Sequence, residues 1–397
     1  MKPLRQTILP VVAILLMVFG LSGTFAQKPK ESKAGAKPKG VQPPPPPRQR
    51  PPKVAPPQPT PDDDEEDYNE DEHARFLKVY EAEKDPVKKA DGLIDYIKNG
   101  KSVTLKSYAI GAFNHELYPN YLQAKNHPAM ADLAEKFLAL PRDLLQELDQ
   151  EGPKRKNPVT VRGEETYVQF IARAAEAYDH LKNKPKIVEW GEKLFKETPL
   201  FATAYTLATT YHDLKNYAKY VEWSEKALEM TTDTNIKTDI QVSLFRFYID
   251  RKKNDEAMKY AEAFMTTLPD MKKPDRFPAN EWPEYKDGNL ADAYFLKGEN
   301  AFHRKDYKKA LPLFEKVLTY DPRRDGAWAY MAYGRWHSGD PQTAMLDFAR
   351  CDAMQGQMAP KCLEELEKIY SKYHNDTTIG IKNIYRKAGV SQPVRAR

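Results

Sequence analysis

The sequence predicts an all-α fold: a right-handed superhelical solenoid of helix-turn-helix pairs, preceded by a disordered Pro-rich linker. Three observations lead there. A layout of small and bulky residues recurs at an offset of 34 residues, from 291 to 325. From 73 to 374 the apolar residues keep helical periodicity, broken only by short Pro- and Gly-containing stretches. Residues 41–61 hold proline at 11 of 21 positions, where no packed core can form.

Residues 1–26 read as an export signal. Lys2 and Arg5 precede an uncharged apolar run that closes on Thr24-Phe25-Ala26, the small-residue pattern of a signal-peptidase site, so cleavage is expected before Gln27. The alternative is an uncleaved anchor, because Thr7 to Phe25 gives 19 uncharged residues, enough to span a bilayer. No Cys stands near the site to carry a lipid.

Residues 27–72 read as the linker. In polyproline geometry, at about 3.1 Å per residue, its Pro-rich part is a semi-rigid spacer of about 65 Å. Lys and Arg from Lys28 to Lys53 come first, and DDDEEDYNEDE follows at 62–72. The basic half has no interleaved aromatic residues, and the whole chain carries a net charge of only +5, so no nucleic-acid partner is expected. Membrane contact is expected only if the N-terminal segment stays uncleaved.

The helical part then proceeds in order. Residues 73–150 read as degenerate helix pairs, with Pro86 placed to begin one helix and MADLAEKFLALP, 130–141, forming another. A polar break, 151–165, separates them from a more regular block at 166–269. Within it Ala174, Ala175, Tyr178 and Pro199 mark one copy; Leu207, Ala208, Tyr211, Tyr217 and Ala227 a second; Leu244, Tyr248, Ala257 and Pro269 a third. Ile187, Tyr220 and Phe245 stand where a small residue is expected. An inserted loop, 270–290, carries Phe277 and Trp282, which are expected to pack on a neighbouring helix.

The clearest copies fill 291–375 together with a capping helix. Tyr294, Gly298, Ala310 and Phe314 recur as Trp328, Ala332, Ala344 and Phe348. Pro312 falls inside the helix that Asp306 caps, and the retained spacing predicts that the helix continues through it. Residues 376–397 read as a C-terminal tail. Cys351 and Cys362 are either a disulfide or two buried thiols.

This layout resembles the tetratricopeptide repeat, a 34-residue helix-turn-helix unit with the pattern W-x2-L-G-x2-Y, A-x3-F, P. The resemblance covers five copies between 168 and 351, and an exported, bacterial-type member is expected. It implies a concave groove lined by the first helix of each pair, and through it a protein-interaction scaffold for a peptide or partner protein. Aligned to the repeat, the groove residues are Tyr205, His212, Arg246, Phe295, Glu299, Phe302, Tyr333 and Trp336. The family's carboxylate clamp is not implied, because its places hold Ala172, Tyr205, Val242, Phe295 and Ala329. His180, His303 and His337 share one column, with His212 beside it, and no carboxylate spacing accompanies them as a metal site requires.

No G-x-S-x-G, H-E-x-x-H or G-x-G-x-x-G occurs, and Gly100-Lys101-Ser102 lacks the first glycine and the strand of a phosphate loop. Neither catalysis nor a cofactor is therefore expected. The alternatives to a general scaffold are a cell-envelope assembly or outer-membrane biogenesis factor and, more remotely, an enzyme built on a helical solenoid.

Overall fold

Each helix reversal in the repeats is built the same way in the computed structural model, which describes residues 69–156, 158–274 and 277–394. The signal and nearly all of the linker lie outside the described residues. The chain divides into two compact units, one ending at Met230 and the other beginning at Thr231, so the block expected at 166–269 is split. The short connector 231–233 accounts for that boundary: Thr231 and Asp233 turn the chain, and Asp233 caps the next helix through the N–H groups of Asn235 and Ile236.

The first unit contains α1 (Glu70–Leu77), α2 (Pro86–Asn99), α3 (Val103–Ala112), α4 (Tyr118–Gln123), α5 (His127–Leu138), α6 (Arg142–Glu151), α7 (Gly163–His180), α8 (Lys184–Glu197), α9 (Phe201–Asp213) and α10 (Tyr217–Met230). Pro86 is the first residue of α2, where its missing N–H costs nothing, and Asp85 caps the helix. The linker was expected to run to residue 72, but α1 already begins at Glu70, capped by Asn69. Acidic residues suit the first turn of a helix, so the acidic run passes into α1 without a break in composition.

Phe113, Phe137 and Phe170 form the aromatic centre of this unit, with ring centroids 4.7 to 6.1 Å apart. Two polar ties hold its ends. Glu72 is buried and accepts hydrogen bonds from Tyr96 Oη at 2.7 Å and from the N–H groups of Lys101 and Ser102 at 2.6 and 3.1 Å. Arg142 of α6 donates to Glu164 of α7 and Glu197 of α8 at 3.0 and 2.6 Å, joining three helices.

The second unit contains α11 (Thr234–Ile249), α12 (Asn254–Phe264), α13 (Trp282–His303), α14 (Tyr307–Tyr320), α15 (Asp325–His337), α16 (Pro341–Ala353), α17 (Ala359–Tyr373) and α18 (Lys382–Lys387). Successive helices pack as antiparallel pairs. At Gly298 the helices come so close that a Cβ would lie 2.7 Å from the Phe314 ring, which is why a residue without a side chain stands there. Helix α14 does run through Pro312, with the Asp306 side chain accepting from Lys309 N–H at its start.

Two expectations are corrected here. The inserted loop at 270–290 ends early, because α13 begins at Trp282. Pro283 sits in the first turn of α13, where proline is tolerated, so it opens a helix instead of prolonging a loop. Phe277 and Trp282 pack together and on Tyr285, with ring centroids 4.5 to 5.6 Å apart. The expected tail at 376–397 contains α18, whose Ile384 and Tyr385 are buried; six residues are too few to show a helical period in sequence. Tyr385 Oη donates to the buried Asp352 at 2.7 Å, and Arg350 donates to the Ala388 carbonyl at 3.2 Å. Cys351 and Cys362 are bonded, joining α16 to α17 with their Cα atoms 6.0 Å apart.

The reversals share one geometry. Two or three residues past the end of each first helix one residue takes a positive φ: Lys125, Lys182, Lys215, Lys252, Lys305 and Gly339. The next N–H bonds back to the carbonyl five residues earlier, as in Asn126 to Tyr121, Asn183 to Tyr178, Asn216 to Tyr211 and Asp306 to Ala301, at 2.9 to 3.0 Å. That same Asn or Asp then caps the following helix.

Replacing Glu72 with Ala strands two backbone donors and a phenol and should destabilise the first unit by about 3 kcal/mol, read as faster hydrogen exchange across α1 to α3. Reducing the disulfide, or the Cys351→Ala/Cys362→Ala variant, should cost the second unit about 2–3 kcal/mol in urea unfolding, from the chain entropy restored by opening an eleven-residue span.

Candidate functional site

The first helices of the last two pairs, α13 and α15, hold most of the aromatic residues that the repeat pattern assigns to a groove. Tyr330, Tyr333 and His337 lie on one face of α15 at spacings of three and four, and Phe302 of α13 faces them. With Ala329 and Met358 they edge a cleft of about 300 Å³. Met358 stands at the start of α17, and its N–H donates to Asp325 at 2.7 Å, fixing the cap against α15.

The walls of this cleft are held from behind. The Tyr330 ring lies nearly parallel to Phe314 at 5.2 Å and meets Phe302 edge-on at 5.0 Å. Its hydroxyl donates to Glu299 at 2.8 Å. Burial and then this carboxylate push the Tyr330 pKa well above the ordinary phenol value, so it remains a neutral donor. Tyr333 meets Phe348 edge-on at 5.0 Å, and burial raises its pKa as well. His337 is exposed at the rim and stacks on Tyr307 with centroids 5.3 Å apart.

The expected groove residues divide. Phe302 and Tyr333 meet in the cleft. Glu299 stands behind it, holding Tyr330. Phe295 is spent between repeats: it packs on Phe314 and Tyr330, each at 5.7 Å, and the Arg324 guanidinium lies 5.1 Å from its ring. Arg246 donates to Asn289 at 2.6 Å. Trp336 is half-buried among the residues that pack beneath α17, with Lys372 Nζ 5.7 Å from its ring. In the first unit Tyr205 lies against Phe201 at 5.7 Å and His212 against Tyr220 at 4.9 Å.

Tyr330 and Met358 were missed as groove residues, whereas Ala329 stands at one of the clamp positions of the groove. The spacing of Tyr330, Tyr333 and His337 on one helical face was a usable signal for the first; nothing in the sequence brings Met358 to α15. The histidines of the column have different neighbours. His180 stacks on His127 with centroids 4.1 Å apart, whereas His303 meets Phe302 and Tyr330. Among the described residues no group of three or more His, Cys, Asp or Glu could hold a metal ion. A second cleft, of about 390 Å³, lies between α12 and α13, with Asp255, Leu296, Glu299, His303 and Arg304 on its walls.

The family model for the tetratricopeptide repeat matches residues 202–234 and 291–324. Solved structures similar to this chain include YrrB, a TPR protein described as having an unusual peptide-binding site, at 14% identity, covering 57% of this chain and 100% of that one with a TM-score of 0.33. They also include PilW, a type IV pilus biogenesis factor, at 16% identity, 55% and 92% coverage and a TM-score of 0.29. A third is the TPR2AB domain of yeast Sti1 in complex with pHSP90, at 14% identity, 80% and 97% coverage and a TM-score of 0.25. The chain has no match among curated proteins.

Proposed function

Because this chain is a tetratricopeptide-repeat protein, we propose that it is an exported interaction scaffold whose second unit seats a peptide segment of a partner protein. The observation that carries this reading is the cleft edged by Phe302, Tyr330, Tyr333 and His337. Its volume suits one bulky apolar side chain, and its aromatic walls offer large contact area at low entropic cost. Tyr330 is already held by Glu299 and Phe314, so little ordering remains to oppose binding. Met358 supplies a flexible wall that can adjust to the shape of the anchor residue.

Export is supported by the N-terminal signal pattern and by the Cys351–Cys362 disulfide, a bond that persists in oxidising compartments. N-terminal sequencing of the protein recovered outside the cytosol should begin at Gln27; an intact Met1 would mean an anchor instead.

Peptides selected on the wild-type chain from a random display library should be enriched in an aromatic or aliphatic anchor. Their affinity should fall at least tenfold in Tyr333→Ala and in His337→Glu, the second placing a charge at the exposed rim. Selected peptides that bind both variants with unchanged Kd would remove the cleft from the proposal.

A further inference from the structure

Three helix reversals of the first unit present an apolar side chain and a lysine together to solvent. Leu122, in the last turn of α4, stands three residues before Lys125; Leu181 directly precedes Lys182 between α7 and α8, and Leu214 directly precedes Lys215 between α9 and α10, with Tyr217 just beyond. These four apolar side chains are 45, 39, 38 and 36% exposed and make up half of the eight large apolar residues so exposed among the described residues. Directly before the positive-φ position the first unit has Ala124, Leu181 and Leu214 and the second Arg251, Arg304 and Ser338, and none of the other exposed large apolar residues lies at these second-unit turns.

The backbone does not call for lysine at these points. Lys125, Lys182 and Lys215 have φ of 52, 54 and 59°, a conformation that glycine or asparagine adopts at lower cost, and Gly339 fills the same place between α15 and α16. Lys125 and Lys215 form no ion pair among the described residues, while Lys182 lies 3.6 Å from Asp179.

The three turns also lie side by side. The His127 ring beside the first turn stacks on His180 of the second at 4.1 Å, and Lys184 of the second lies 2.9 Å from Asp213 of the third. Asp179 and Asp213 thus already face Lys182 and Lys184, and Lys125 and Lys215 remain outside any ion pair among the described residues.

We infer that this edge is a peripheral docking surface for an anionic lipid bilayer. Leu122, Leu181, Leu214 and Tyr217 enter the headgroup boundary, and Lys125, Lys182 and Lys215 meet the phosphate groups. Separate protruding side chains, with charge between them, fit a fluid surface that closes around each one; they do not form the continuous patch that a rigid protein partner packs against. A soluble polyanion would engage the lysines and leave the leucines in water. No described helix is long and apolar enough to cross a membrane.

Residues 69–397 contain every described helix and every core residue, and they exclude both the apolar run at 7–25 and the basic tail, which would bind vesicles by themselves. This protein is tested by co-sedimentation at about 0.1 M salt with phosphatidylcholine vesicles holding about 30% phosphatidylglycerol. It should partition onto them at least tenfold more strongly than onto pure phosphatidylcholine. The triple variant Lys125→Asn/Lys182→Asn/Lys215→Asn keeps a residue suited to positive φ while removing the charge, and should lower partitioning by tenfold or more. Leu122→Ser/Leu181→Ser/Leu214→Ser should do the same. The inference is overturned if the protein stays in solution, if either triple variant partitions like wild type, or if soluble polyphosphate abolishes binding in a manner indifferent to the leucines.

Discussion

The repeats rest on one local constraint: the chain must reverse between two packed helices within a few residues. A single residue at positive φ closes the first helix, and the residue after it bonds back to that helix; in five of the six reversals it is Asn or Asp and also caps the next. Antiparallel packing then follows, because so short a connection leaves the second helix nowhere to go except back along the first. Close approach at Gly298 and at the buried Ala310, Ala332 and Ala344 depends on that reversal holding its register. Filling five of the six positions with lysine costs roughly 1 kcal/mol each in backbone strain.

Outside the repeats, polar and covalent ties take the place of a missing neighbour. A repeat array buries each pair against the next, and its end pairs need another source of order. In the first unit Glu72 gathers the chain around the start of α3, and Arg142 joins α6, α7 and α8. In the second unit a disulfide and the Tyr385–Asp352 hydrogen bond bind α16 to the elements after it, while Asp347 pairs with Arg335 of the preceding α15 and with Arg350 within α16. Asp347 is buried, and burial outweighs the two arginines in raising its pKa above the ordinary carboxylate value.

Aromatic residues perform two tasks on α13 and α15, and the tasks compete. A ring used to pack one repeat on the next is no longer free to meet a ligand; Phe295 has gone that way. Tyr330 combines the two: one face lies on Phe314, its hydroxyl is anchored to Glu299, and part of its ring remains at the cleft. Such support turns a flexible surface ring into a fixed wall.

The helix pairs were legible in the sequence, because helical periodicity and the 34-residue recurrence of Gly298 and Ala332, or Phe314 and Phe348, are local properties that survive in a string of letters. Asp306 as a cap and the passage of α14 through Pro312 were legible for the same reason. Tertiary structure alone decided which groove residues stay open, since alignment places Phe295 and Phe302 on one helix face but cannot say which of them the next repeat covers. It also decided that Cys351 and Cys362 are bonded, that α18 is packed and that Met358 reaches α15. Those outcomes depend on distances between residues far apart in the chain, and no periodicity encodes a distance.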